Sequence, residues 1–225
     1  MEKILKASRL CTDMTSEQIC RLIALGNPQY ISYEKNDMLF LETLKTKTIQ
    51  IMVKGSMAIA KDMPDGKRIL GTEITTLGEL IGDVNLFATL NVFWDYLVAM
   101  TDSVVLHISL QPFLHKNTEH TDIQAVLYKN LLTTISNKLV YTNEKLRIVS
   151  LPTVRKKIIY YLLGQLNENG EIHLNLTREE LADYLGIQRP SLSRELSKMQ
   201  KEGLIRVDHR TVFIRDKEIF NGLNE

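Results

Sequence analysis

Residues 176–205, LTREELADYLGIQRPSLSRELSKMQKEGLI, decide how this chain of 225 residues is interpreted. Thr177 is followed three residues later by Glu180, the spacing of a capping box, in which each side chain accepts a hydrogen bond from the other residue's backbone N–H. Gly186 favours the end of that helix, and Pro190 suits the first turn of a second helix because a missing N–H costs nothing there. The stretch therefore predicts two short helices joined by a tight turn, which is a helix-turn-helix.

The outer side of the second predicted helix carries side chains suited to DNA. Leu192, Leu196 and Met199 recur at helical spacing and mark the inner side. Arginine can bond guanine and glutamine can bond adenine through paired hydrogen bonds, while serine hydroxyls and helix N-termini suit phosphate oxygens. Residues 188–201 hold four basic residues against one acidic residue. The DNA-binding residues predicted from this stretch are Gln188, Arg189, Ser191, Ser193, Arg194 and the cap residue Thr177.

A wing follows the second helix. After Gly203 the residues LIRVDHRTVFI predict two short strands. The alternative for the two helices alone is an ordinary amphipathic pair with a solvated charged face. Because the capping box, the glycine turn, the base-reading side chains and the wing occur in order, the sequence favours a winged helix-turn-helix that binds DNA.

The composition restricts where and how such a protein works. A formal net charge of +1 gives no overall field to hold a polyanion, so nucleic acid must meet a local basic patch. The start, MEKILKASRL, lacks the apolar core of a signal peptide, and no run reaches membrane-spanning length. The two cysteines, Cys11 and Cys20, imply no disulfide framework. The sequence predicts a cytoplasmic protein without a membrane segment.

The first half of the chain changes from helical to strand-like patterns. Residues up to about 27 predict short helices, and residues 29–108 predict short strands broken by turns. Asp65-Gly66, between two apolar runs, is a strong hairpin signal. Many short strands at regular spacing favour an antiparallel roll or barrel.

A long helix is predicted next. Its apolar stripe recurs at four-residue steps: Ile123, Leu127, Leu131, Ile135 and Leu139, widened by Tyr128, Leu132 and Leu146. A helix of roughly 25–30 residues exceeds the needs of one small domain and invites a partner helix. Leu151-Pro152 marks a break, after which VRKKIIYYLLGQL predicts one more amphipathic helix.

The order of these parts resembles the Crp/Fnr superfamily of bacterial transcription factors (cyclic-AMP receptor protein and fumarate-nitrate regulator) over nearly the whole chain. The resemblance rests on Lys54-Gly55-Ser56, Asp65-Gly66, Gly78, Ile81-Gly82-Asp83, Asp102-Ser103-Val104 and, most specifically, LADYLGIQRPSLSREL at 181–196. It implies an α+β fold with three parts. These are an N-terminal double-stranded β-roll, or cupin-like jelly roll, that senses an effector in residues 1–115, a dimerisation helix in residues 116–149 and a C-terminal winged helix-turn-helix in residues 150–225.

The resemblance also implies a mode of action. A homodimer formed through the long helix would place two recognition helices on a near-palindromic operator in double-stranded DNA, with RNA polymerase as a further partner. The family's base-reading positions fall on Gln188, Arg189, Pro190 and Arg194, with Ser191 as a phosphate contact and Arg210 as a basic wing residue. Pro190 replaces the glutamate of many members, so a different half-site sequence is expected. Glu195 replaces a common aliphatic residue, so partly exposed packing is expected there.

The effector pocket departs from the family pattern. Cyclic-nucleotide binders use a Gly-Glu pair for the ribose and an Arg-Ser or Arg-Thr pair for the cyclic phosphate. Here Gly82-Asp83 fills the first pair and Trp94-Asp95 aligns with the second. Losing the guanidinium removes a charge-assisted clamp worth roughly 2–5 kcal/mol. We therefore expect an unknown small-molecule effector or none, with Gly82, Asp83, Trp94, Asp95 and Tyr128 as the pocket residues. The alternative is a cyclic-nucleotide-responsive regulator that uses a variant pocket.

No cofactor, metal site or catalytic centre is predicted. An iron–sulfur sensor needs four cysteines, and this chain has two. The histidines form no H-E-x-x-H or comparable ligand set, and His115 and His120 are expected to be solvated. A cupin-like enzyme would need a metal-binding His/Glu cluster, yet His107 is the only histidine in residues 29–108. Because a P-loop, a nucleophile elbow and a dinucleotide fingerprint are also missing, the sequence favours a regulator over an enzyme.

Overall fold

The computed structural model describes residues 1–40, 47–87, 95–114, 118–167, 171–174 and 176–215. The helices it describes are α1 (Glu2–Ala7), α2 (Ser16–Gly26), α3 (Gln111–Leu114), α4 (Thr121–Ser150), α5 (Val154–Gly164), α6 (Arg178–Leu185) and α7 (Arg189–Lys201). The strands are β1 (Gln29–Tyr33), β2 (Met38–Phe40), β3 (Thr48–Lys54), β4 (Met57–Asp62), β5 (Arg68–Ile74), β6 (Leu80–Ile81), β7 (Asp95–Ala99), β8 (Ser103–Ser109), β9 (Glu171–His173), β10 (Ile205–Asp208) and β11 (Thr211–Ile214). The chain divides into two compact units, Met1–Asn137 and Lys138–Glu225. None of the helices in these described ranges is both long and apolar enough to cross a membrane.

Two four-stranded antiparallel sheets form the centre of the first unit. One has the order β1-β8-β3-β6 and the other the order β2-β7-β4-β5. Met52 and Val105 from one sheet and Met57 and Leu97 from the other are fully buried in one shared core. The predicted turn at Asp65-Gly66 joins β4 to β5. The predicted β-roll is therefore confirmed.

Gly55, in the turn between β3 and β4, has a steric reason to be glycine. Its φ is +90°, a conformation that side chains with a Cβ rarely adopt. A Cβ at this position would lie 2.3 Å from Oγ of Ser103 and 2.6 Å from the carbonyl oxygen of Asp102. The turn motif Lys54-Gly55-Ser56 therefore needs glycine at its centre, because Ser103, the first residue of β8, lies very close to it.

A second core joins helices of the first unit to the β1-β8-β3-β6 sheet. Leu5 and Leu22 from the N-terminal helices are fully buried with Ile49 and Leu106 from β3 and β8. Successive strand residues point to opposite faces, so Ile49 enters this core while Met52 enters the core between the sheets. The sheet is thus covered on both faces.

Helix α4 is 30 residues long and uses more than one face. Ile123, Leu127 and Leu131 are at most 1% exposed and pack into the helix-covered core. Beyond this point the predicted stripe leaves the core of the first unit, because Leu139 is 58% exposed. Each four-residue step advances about 40° beyond a full turn, so repeated steps carry the stripe off the buried face.

The second unit contains α5, α6 and α7 with a three-stranded antiparallel sheet of order β10-β11-β9. Ile158, Leu181 and Leu192 bring the three helices into one buried core. Strands β10 and β11 are the two predicted strands of the wing. The third strand, β9, was not predicted from the sequence, because it has only three residues and a single buried side chain, Ile172.

Candidate nucleic-acid interface

The turn between α6 and α7 is built as the sequence predicts. Oγ1 of Thr177 accepts a hydrogen bond from the Glu180 N–H at 3.2 Å, and Oε2 of Glu180 accepts one from the Thr177 N–H at 2.7 Å. The backbone hydrogen bond from Thr177 lowers the pKa of the Glu180 carboxyl, so the capping carboxylate stays ionised. Gly186 ends α6 with φ +61°, and a Cβ there would approach Val149 to 3.3 Å. Local chemistry therefore fixes the start and end of α6.

Helix α7 separates an apolar inner side from a polar outer side. Leu192, Leu196 and Met199 are at most 4% exposed. Gln188 is the N-cap residue in an extended conformation, and its side chain makes no cap hydrogen bond. Its amide group is therefore not committed to the helix start. Pro190 lies in the first turn, as predicted.

The outer side of α7 holds most of the predicted DNA-binding residues together. Gln188, Arg189, Ser193 and Arg194 are exposed, and Ser191 is half-buried. Nε of Arg194 donates to the Pro190 carbonyl at 3.3 Å, and Nη2 donates to Oγ of Ser191 at 3.5 Å. These long contacts use only part of the guanidinium's donor set, so base or phosphate acceptors can be added.

A basic groove continues along the same side toward the C-terminus of α7. It has a volume of about 410 Å³ and is lined by Ser193, Arg194, Ser197, Lys198 and Lys201. The last three were not among the predicted residues, although four-residue steps from Ser193 and Arg194 lead to them. The cationic side of α7 therefore extends beyond the N-terminal half of the helix.

Thr177 and Arg210 come from different elements but lie near each other. Arg210 is exposed in the turn of the wing, next to His209, whose φ is +50°. Its carbonyl oxygen accepts a hydrogen bond from the Leu174 N–H at 2.8 Å, directly after β9. The Arg210 charge also contributes to lowering the pKa of the Glu180 carboxyl, after the hydrogen bonds from Thr177. The wing tip therefore brings the Arg210 charge close to the N-terminus of α6.

Glu195 is partly exposed on α7, as predicted. Its side chain is only 20% exposed, and Oε1 accepts a hydrogen bond from Nε of Arg155 at 2.5 Å. The expectation of partly exposed packing is therefore confirmed, and an ion pair takes the place of an aliphatic contact. Arg155, on α5, was not singled out from the sequence.

The predicted effector residues are described only in part. Trp94 lies outside the described residues, and only the backbone of Asp95, at the start of β7, is described. Gly82 has φ +76° and precedes Asp83, which is 1% exposed. Tyr128, on α4, donates from its hydroxyl to the Leu114 carbonyl at 3.3 Å. The described residues therefore do not show these five positions meeting in one pocket.

Tyr128 instead lines a small apolar cavity in the first unit. The cavity has a volume of about 190 Å³ and is lined by Phe87, Tyr128, Leu131, Leu132 and Ile135. The rings of Phe87 and Tyr128 are 6.2 Å apart. This lining offers no charged group for a cyclic phosphate.

The cysteines and histidines show no clustering in the described ranges. Within those ranges, no group of three or more His, Cys, Asp or Glu side chains is placed to hold a metal ion. Cys11 is buried, and burial raises the pKa of its thiol to about 12, whereas Cys20 is exposed. A neutral buried thiol is a poor nucleophile, which favours a packing role for Cys11. His115 lies outside the described residues, and His120, predicted to be solvated, is half-buried with its ring 5.9 Å from Phe113.

Two family models match the chain in the order of its parts. A cyclic nucleotide-binding domain model matches residues 30–117, and a Crp-like helix-turn-helix domain model matches residues 156–220. The first match contains the strands of the roll, and the second contains α6, α7 and the wing.

Named relatives match most of the chain at low identity. Nitrogen fixation regulation protein FixK of Bradyrhizobium diazoefficiens is 22% identical over 220 residues, covering 94% of this chain and 88% of its own length. The cAMP-activated global transcriptional regulator CRP of Salmonella typhimurium is 23% identical over 188 residues, covering 81% of this chain and 87% of its own length. The crystal structure of Thermus thermophilus catabolite activator protein has a similar fold, with a TM-score of 0.51 and 20% identity over 96% of this chain and 98% of that one.

Proposed function

The chain belongs to the Crp/Fnr superfamily of transcription regulators, and we propose that it acts as a homodimer that binds a near-palindromic DNA operator. The outer side of α7 is the observation that carries this proposal. The inner side of α7 is apolar and buried. Its outer side presents Arg189 and Arg194 near the N-terminus and Lys198 and Lys201 toward the C-terminus. An exposed cationic helix of this kind fits the major groove.

Each predicted residue has a role in this proposal that follows from its donors. Arg189, Arg194 and Gln188 read base edges, because arginine and glutamine make paired hydrogen bonds to purines. The hydroxyl residues and the wing arginine fix the helix in the groove by contacting phosphates. This second set is Thr177, Ser191, Ser193 and Arg210.

Helix α4 supplies a surface on which two copies could pair. Leu132, Leu139 and Leu146 repeat every seven residues and are 64%, 58% and 60% exposed. These leucines belong to a row of residues on one side of α4 that we call the α4 seam, in which steps of four and three residues alternate. The seam consists of Tyr128, Leu132, Ile135, Leu139, Thr142, Leu146 and Val149. Such a heptad pattern is typical of two-stranded coiled coils. Large exposed leucines in this pattern support a homodimer formed along α4.

A symmetric dimer explains the expected operator. Two identical recognition helices related by a two-fold axis read inverted half-sites, whose centres lie about 34–36 Å apart along the duplex. In this proposal, residues 1–115 form the sensor, residues 116–149 the dimerisation helix and residues 150–225 the DNA-binding domain. RNA polymerase would be the partner of the DNA-bound dimer in the cytoplasm.

The roll is proposed to respond to a ligand other than cyclic AMP, or to none. Alignment of Trp94-Asp95 with the family's phosphate-binding pair leaves no arginine at that place. A second candidate, a cyclic-nucleotide-responsive regulator, is favoured by the match of residues 30–117 to the cyclic nucleotide-binding domain model. Calorimetric titration with cyclic AMP and cyclic GMP separates the two. We expect no binding in the micromolar range, and a micromolar constant coupled to a change in DNA affinity would establish the second candidate.

Selection of bound sequences from random DNA duplexes tests the main proposal. The purified full chain should enrich duplexes containing two inverted half-sites, whereas a variant with Arg189→Ala and Arg194→Ala should enrich none. If the wild-type protein enriches no sequence at low ionic strength, the proposed function is wrong. The selection is repeated with a small-molecule extract of cells, so that a missing effector cannot hide the activity.

A further inference from the structure

Two acidic residues of the recognition segment are held by one arginine. Arg155, in the first turn of α5, donates from Nε to Oε1 of Glu195 at 2.5 Å. Its Nη1 and Nη2 donate to the two carboxylate oxygens of Glu202 at 2.7 Å and 3.0 Å. One guanidinium therefore joins the start of α5 to the middle of α7 and to its C-cap residue.

The three side chains are partly shielded from water. Arg155 is 25% exposed, Glu195 20% and Glu202 36%. Bidentate contact between a guanidinium and a carboxylate is stronger and more directional than a single bond. The hydrogen bonds from Arg155 lower the pKa of the Glu202 carboxyl, and those carboxylates in turn raise the pKa of Arg155. The Arg155 guanidinium and the Glu202 carboxylate therefore stay ionised and paired.

Without this arrangement, the charges along α7 would be interleaved. Glu195 directly follows Arg194, and Lys198 lies three residues after Glu195 and four residues before Glu202. Opposite charges three or four residues apart pair along a helix. In the structure both carboxylates bond to Arg155, while Arg194 and Lys198 line the outer groove.

We propose that Arg155 is a positioning residue that holds Glu195 and Glu202 away from the DNA-facing side of α7, so that this side is uniformly cationic. The inference rests on the proposed function, because it matters only if α7 faces DNA. When Arg155 is lost, each carboxylate either pairs with a cation of the groove or turns toward the phosphates. Both outcomes weaken DNA binding.

The test compares operator affinities of full-length variants at several salt concentrations. Arg155→Gln should weaken operator binding roughly tenfold or more at low salt, because unfavourable charge placement at an interface costs at least that much. The loss should shrink at high salt, which screens exposed charges. Lys156→Gln is the matched control, since it removes the same charge from the next residue of α5. Lys156 forms no ion pair with either carboxylate among the described contacts, so its variant should bind nearly as wild type.

Removing the carboxylates should reverse the effect. Adding Glu195→Gln and Glu202→Gln to Arg155→Gln should restore operator affinity to within a few-fold of wild type. A role in folding alone predicts no such rescue, since the triple variant also lacks the ion pairs. Failure of the triple variant to recover therefore contradicts the inference, as does wild-type affinity of Arg155→Gln.

A second variant covers the case in which Arg155→Gln does not fold. Glu195→Gln with Glu202→Gln, Arg155 being kept, should bind the operator at least as tightly as wild type. Weaker binding by this folded double variant would contradict the inference. A wild-type protein that binds no duplex would instead contradict the proposed function, so the two failures are distinguishable.

Discussion

Arg194 is the residue through which sequence readout is most directly tested. It is exposed on the outer side of α7, and its contacts to Pro190 and Ser191 are long. Arg194→Ala should cost roughly 1–3 kcal/mol of binding free energy at one base pair in each half-site, because a bidentate base contact is lost. The measurement is the affinity for operators with single base-pair changes.

Lys201→Ala is the control for this prediction. Lys201 lines the same groove nearer the C-terminus of α7 and should contact phosphate alone. Its loss should weaken binding to all sequences alike and reduce the salt dependence. If Arg194→Ala behaves in the same uniform way, Arg194 does not read bases.

Residues whose partners are close in sequence could be predicted, and residues with distant partners could not. The Thr177–Glu180 capping box is confirmed because three-residue spacing alone brings its groups together. The ion pair of Glu195 could not be predicted because its partner, Arg155, is 40 residues away in the chain. Lys198 and Lys201 belong to the basic stretch 188–201, but they were not assigned as DNA-binding residues, because the arginine and glutamine side chains that read bases lie in the first two turns of α7. The predicted roles of the DNA-binding residues stay predictions.

At the scale of elements, the α4 seam carries the proposed dimer. Leu139→Glu places a charge in the middle of a seam that should be buried between two helices, and burying an unpaired charge is costly. The variant should be monomeric at micromolar concentration and should lose operator affinity by about a hundredfold or more. Sedimentation and operator titration measure the two effects.

Val140→Glu is the matched control because it changes the adjacent residue. Val140 is 63% exposed and Leu139 is 58% exposed, but Val140 lies off the heptad positions. This variant should stay dimeric and bind the operator as wild type does. Equal behaviour of the two variants would show that the seam is not the dimer surface.

The last turns of α4 pack within the second unit. The ring of Tyr184, on α6, lies 6.0 Å from Tyr141 and 5.5 Å from Tyr161. The Tyr160 hydroxyl donates to Oε2 of Glu144 at 3.0 Å. The break predicted at Leu151-Pro152 therefore ends the helix without separating it from the DNA-binding helices. Sequence periodicity gives helix lengths well, but it does not show which neighbour each face meets.

At the scale of the whole molecule, the order of parts could be predicted and the ligand site could not. Strand alternation, turn residues and helical period identify the β-roll, the long helix and the winged helix-turn-helix, and these are confirmed. The predicted pocket combined residues from three separate segments of the chain. One of these residues, Trp94, lies outside the described residues. A net charge of +1 also hides the local basic side of α7, because acidic residues elsewhere balance it.

The central claim is that two copies of α7 enter successive major grooves on one side of the duplex. The most direct measurement is the affinity for selected operators in which base pairs are inserted between the half-sites. Inserting about five base pairs turns one half-site to the opposite side of the helix, so affinity should fall sharply toward that for a single half-site. Inserting about ten base pairs returns both half-sites to the same side of the duplex but increases the distance between them, so affinity should recover only in part. Affinity that is unchanged by the half-turn insertion would contradict the account.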